Sequence, residues 1–138
     1  MSSSQLPELR YQGLRGCSVG ILLIFALLQW NDPDPVQWIF LYSMPAILIG
    51  IPRRQNLQFL RKIRSVLTIV YLILAVYLFP REYKGVGEMR AGTPEIEYAR
   101  ESLGLIIAIV LYWLGEWANE QIKVSKLSNA TEQNEASS

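Results

Sequence analysis

The sequence predicts an all-α fold: a four-helix transmembrane bundle built from two helical hairpins, with both termini cytoplasmic. Three observations predict it. Four apolar runs, at 16–30, 36–51, 65–79 and 102–115, are separated by polar links. None alternates with period two and all are long for strands. Basic residues concentrate in alternate links, the charge pattern of a chain threaded through a bilayer.

Composition bounds what such a chain can do. Its 138 residues suffice for one domain, and 51% of them are hydrophobic. The charged residues sit in a few blocks, so the apolar runs are nearly free of them. A net charge of +1 gives no pull toward nucleic acid. There is no histidine, which removes the commonest general base and the commonest zinc ligand. The single cysteine, Cys17, cannot form an internal disulfide and reads as a small buried hydrophobe. With no activated cysteine and no serine elbow, neither an enzyme nor a cofactor is expected.

Helix one is expected over about 13–31. Its stretch VGILLIFALL has no polar face, and a bundle helix in water needs one. The sequence LLQWNDP has no small-x-small cleavage site, so this run reads as a membrane helix and not a signal peptide. Helix two is expected over about 35–52, with Pro45 inside it as a kink site. Helix three is expected over about 62–80. Helix four is expected over about 94–120, with Thr93 as its cap and Pro94 as its first residue. The runs are short for a bilayer. Arg15, Arg64 and Arg81 can snorkel at their ends, and Trp30, Trp38, Trp113 and Trp117 suit an aromatic belt. The membrane domain then covers 13–118, between tails at 1–12 and 124–138 that are polar and expected to be disordered.

Charge orients the bundle. Arg10, Arg15, Arg53, Arg54, Arg61, Lys62, Arg64, Lys123 and Lys126 fall on one side. Arg81, Lys84, Arg90 and Arg100 fall on the other, offset by five glutamates. Nine against four puts both termini in the cytoplasm. The basic link of Arg53, Arg54, Arg61, Lys62 and Arg64 then meets anionic lipid. Glu116, near the inner end of helix four, is interfacial or a partner for Arg61 or Arg64.

The first link, NDPDP, joins helices one and two. Asn31 can end helix one in a left-handed conformation, and Pro33 prevents it from continuing. Asp34 can cap helix two, and Pro35 suits its first position. Asp32 is not explained by capping. It follows a helix C-terminus, where the macrodipole is already negative, so a cation should answer it. Arg100 is the best candidate.

The stretch QWNDPDPVQWIFLYSMPAILIG, paired in order with EYARESLGLII, resembles the signatures of the transmembrane protein 220 family. The resemblance rests on Asn31, Asp32, Pro33, Asp34, Trp38, Tyr42, Pro45 and Ala46, and then on Arg100, Glu101, Gly104 and Leu105. It covers about 13–117. It implies a small multi-pass membrane protein and supplies no activity.

The outer cluster of Asn31, Asp32, Asp34, Glu95, Arg100 and Glu101 is the one place where chemistry could gather. One reading is an ion-pair and capping network that locks the hairpins. The other is a site for a cation, a lipid headgroup or a small polar ligand. Asp32, Asp34 and Glu101 are weak metal candidates, because carboxylates suit calcium but no D-x-D-x-D-G spacing is present. The expected surroundings are the lipid bilayer and possible membrane protein partners, with the small-molecule ligand left open. The chain reads as a structural or accessory protein of a membrane complex, or alternatively as a binding or transport module using the outer cluster.

Overall fold

The computed structural model describes residues 5–51, 58–82 and 94–136. Among the described residues the chain forms four α-helices and no strand. They are α1 (Gln5–Leu28), α2 (Pro35–Gly50), α3 (Gln58–Leu78) and α4 (Pro94–Ala136), with a short 3-10 turn at Gln29–Asn31 after α1.

Prolines set most of the boundaries. A residue before proline is pushed out of the helical region toward extended backbone. Asp32, before Pro33, has φ −74 and ψ 150, and Ile51, before Pro52, has φ −70 and ψ 118. Asp34, before Pro35, has φ −118 and ψ 59. α1 therefore ends through a 3-10 turn into extended backbone, and not through the left-handed conformation expected at Asn31. α2 begins on Pro35, whose missing amide costs nothing there, and stops one residue short of Ile51. α3 ends at Leu78, two residues before Pro80. α4 begins on Pro94, while its expected cap, Thr93, lies outside the described residues.

Both expected tails are instead helical where described. α1 starts at Gln5, well before 13, and three contacts explain why this turn holds. Gln12 donates to Glu8 at 2.9 Å, one helical turn away. Lys126 lies 3.5 Å from the same carboxylate. Tyr11 meets Trp117 edge-on, with ring centroids 5.4 Å apart. α4 runs on to Ala136 and not to about 120. After Gly115 the sequence has neither glycine nor proline to stop it, and it is rich in helix formers. At 43 residues α4 is about 64 Å long at 1.5 Å per residue.

The chain divides into two compact units: Met1–Asn56 with Leu111–Ser138, and Leu57–Val110. In the first, α1 packs on α2 and on the distal part of α4. Phe25 meets Tyr42 edge-on at 5.6 Å, and Leu22, Ala26, Ala46 and Ile49 are buried. The contacts of Tyr11 with Trp117 and Glu8 with Lys126 set α1 antiparallel to α4. In the second unit, Ser102 on α4 donates to the Ala75 carbonyl on α3 at 2.7 Å. Small buried residues, Ala75, Ala99 and Ser102, allow that close approach.

Two stretches are long and apolar enough to cross a membrane, Glu8–Asn31 and Pro94–Glu135. α2 is apolar but shorter. α3 carries Arg61, Lys62 and Arg64 near its start, so its charge-free part, 65–78, spans only about 21 Å. The faces of α1 and α3 that look outward are apolar: Leu27, Leu28, Val76 and Tyr77 are among the most exposed residues.

Candidate functional site

The 29–35 turn is built by its own backbone. The Asp32 amide donates to the Gln29 carbonyl at 3.0 Å, and the Asp34 amide donates to Asp32 Oδ1 at 3.1 Å. Asp32 therefore closes an Asx turn, in which a carboxylate accepts from the amide two residues on. This corrects the expectation that only a cation could answer Asp32, since a backbone dipole does so locally. Asp34 occupies the cap position of α2 without making the side-chain capping bond expected of it. Asn31 and Asp34 are exposed and Asp32 is half-buried.

The rest of the expected outer cluster lies in the other unit, on α4. Glu95 and Glu101 are half-buried and Arg100 is exposed. Glu95 sits in the first turn of α4, where its charge complements the helix dipole. There it lines a cleft of about 600 Å³ with Tyr77, Leu78, Phe79, Pro80, Arg81, Glu82 and Tyr98. Three aromatic rings, one guanidinium and two carboxylates thus converge where α3 ends and α4 begins. The sequence contains the Phe-Pro-Arg-Glu that forms one wall, but not its proximity to Glu95 and Tyr98.

A second polar constellation lies at the opposite end of the first unit from the 29–35 turn. Asn119 on α4 donates to the carbonyl of Ile49, near the end of α2, at 3.0 Å. Its amide also lies 3.4 Å from Glu116 Oε1, and Arg15 on α1 reaches its Oδ1 at 3.5 Å. Glu116 is 2% exposed and Asn119 is 7% exposed. One turn earlier, Gly115 leaves room for Ile49: a Cβ there would stand 2.8 Å from Ile49 Cδ1. Sequence reasoning missed Asn119, Gly115 and Ser102. The one available signal was the Gly-Glu-x-x-Asn spacing, which puts polar groups one turn apart at the end of an apolar run. Glu116, expected at the interface, is buried instead.

Arg53 and Arg54 lie outside the described residues, as does the side chain of Arg61. Lys62 is exposed, whereas Arg64 is buried and does not snorkel. Cys17 is exposed and not the buried hydrophobe expected. Trp38 is buried beside Tyr42 and not in a belt, while Trp30, Trp113 and Trp117 are exposed. Among the described residues no three acidic or cysteine side chains converge to hold a metal ion.

Two helices are long and apolar enough to cross a bilayer, and the class of protein is fixed by family: a helical membrane protein. The chain belongs to the family described as Transmembrane family 220, helix, whose model matches residues 21–117. Neither a curated protein nor a solved structure matches it.

Proposed function

We propose that the chain is a four-span membrane protein with both termini in the cytoplasm, acting as a structural or accessory subunit of a membrane complex and not as an enzyme. One observation carries this reading: buried polar side chains are spent on holding helices. Ser102 on α4 reaches Ala75 on α3, and Asn119 on α4 reaches Ile49 on α2, while Ser18 returns to the Leu14 carbonyl within α1 itself. A transport path would instead turn such groups toward a substrate or ion. The wide apolar faces of α1 and α3 suit lipid or the helices of a membrane partner. Their outward residues, such as Ile24, Ile73 and Val76, are large and aliphatic.

The four-span arrangement draws support from the first unit. Arg15, Ile49 and Asn119 meet at one end, and Glu8 lies beside Lys126. The start of α1 and the distal part of α4 are thus neighbours, as an even number of crossings requires. Nine basic residues gather at that end or in the link expected beside it, which is the cytoplasmic signature. α2 and the charge-free part of α3 are short for a full crossing, and a thinned bilayer or flanking side chains that reach out accommodate them.

Co-purification tests the functional reading. The tagged full chain, crosslinked in native membranes before solubilisation, should retain a membrane protein in fixed stoichiometry. Recovery of the chain alone, at every crosslinker concentration, would count against an accessory role.

A further inference from the structure

The cleft at the α3–α4 end brings aromatic, acidic and basic side chains together. Three aromatic rings line it, and all are strongly exposed: Tyr77 at 82%, Phe79 at 53% and Tyr98 at 48%. Glu82 and Glu95 bring two carboxylates, and Arg81 brings one guanidinium. Among the described residues, these are the charged groups of the lining. Aromatic faces and carboxylates together suit an alkylammonium group, by cation–π attraction and charge. A guanidinium suits a phosphate. The cleft opens where the apolar run of α3 gives way to Pro80, Arg81 and Glu82, which is headgroup depth if α3 crosses a bilayer.

We infer that this cleft binds the headgroup of a zwitterionic phospholipid, with the ammonium among Tyr77, Phe79, Tyr98, Glu82 and Glu95 and the phosphate on Arg81. The inference rests on the membrane reading above. The occupant is a lipid and not a soluble phosphoamine, because Leu78 and Phe79 continue the lining onto the apolar face where acyl chains would lie. A volume of about 600 Å³ suits a headgroup with the start of its chains.

The full chain, purified in a neutral maltoside detergent, is melted with short-chain phosphatidylcholine, with phosphatidylglycerol of the same chains, and with free phosphocholine. A ligand of the folded form raises the melting temperature with its concentration. Phosphatidylcholine should give a rise of several degrees that the other two do not match. Glu95→Gln and Tyr98→Ala should each weaken that response by roughly tenfold in apparent affinity, each read against the variant's own lipid-free melt. Where either variant melts early without lipid, Tyr77→Ala, a change at the most exposed of the three rings, takes its place. An equal rise with phosphatidylglycerol overturns the headgroup assignment. An equal rise with free phosphocholine overturns the lipid as its source. A response that survives all three variants overturns the cleft. Failure of the lipid response in a chain that still resists carbonate extraction from membranes refutes the site and leaves the membrane reading intact.

Discussion

Gly115 of α4 lies directly against Ile49 of α2, close enough that a Cβ would stand 2.8, 2.9 and 3.0 Å from three carbons of the isoleucine side chain. Ile49 is fully buried and β-branched, so it has little freedom to move aside. Replacing Gly115 with alanine should therefore destabilise the protein by about 1–3 kcal/mol through overpacking, despite the gain in helix propensity. Melting in detergent would show it. Combination with Ile49→Val should recover part of the loss, since residues in contact couple. A Gly115→Ala variant that melts at or above the native temperature would mean that the two helices are not held this closely.

Asn119 should be the most sensitive polar residue of the first unit. Asn119→Ala removes the donor to the Ile49 carbonyl and the acceptor for Arg15 together. The expected cost is about 1–3 kcal/mol, because the carbonyl of the buried Ile49 is left without its donor. Asn119→Asp keeps the acceptor and loses the donor, and it adds a carboxylate next to Glu116, so it should be at least as damaging. The chemical denaturation midpoint of each variant measures this.

Ser102→Ala tests the second unit on its own. It removes one hydroxyl that reaches Ala75 across 27 residues of sequence. Interhelical hydrogen bonds in membrane proteins contribute about 0.6 kcal/mol on average. A small, reproducible fall in melting temperature is expected. Ser102→Leu should be far worse, because it forces a large side chain between two closely packed backbones.

Asp32 separates a local role from a long-range one. The Asx turn needs an acceptor and not a charge. Asp32→Asn should therefore stay within about 0.5 kcal/mol of the native protein, while Asp32→Ala should lose about 1 kcal/mol with the hydrogen bond to the Asp34 amide. Equal losses in both variants would instead assign Asp32 to the charge pairing with Arg100 that its place after a helix C-terminus suggests. Paired melts of the two variants decide between them.

The threading is open to a chemical test. In a chain with Cys17 replaced by serine, a single cysteine at position 54 should resist an impermeant thiol reagent in intact cells and react after permeabilisation. A cysteine at position 84, in the link assigned to the other face, should react in intact cells. Labelling at 54 without permeabilisation would reverse the orientation drawn from the nine-to-four distribution of basic residues.

The limits of the sequence show most clearly at these same residues. Pro33, Pro35 and Pro52 place the ends of α1 and α2, because a pyrrolidine ring restricts its own backbone and that of the residue before it wherever it sits. The apolar runs likewise identify a helical membrane protein, since hydropathy is a property of each segment alone. Which faces meet is different. A stretch such as VGILLIFALL is apolar all round, so no stripe marks the side that packs. Only the folded chain brings Gly115 and Asn119 to Ile49, and Ser102 to Ala75. It likewise joins Glu95 and Tyr98 to the Pro-Arg-Glu at the end of α3. The same holds for the two tails. Their polar composition suggested disorder, but local composition does not register that Tyr11 has Trp117 to pack on, or Glu8 a lysine across the helix pair. Segment chemistry decided where the chain turns and what solvent it prefers. Contacts between residues distant in sequence decided which polar groups are buried and which surfaces are left to act.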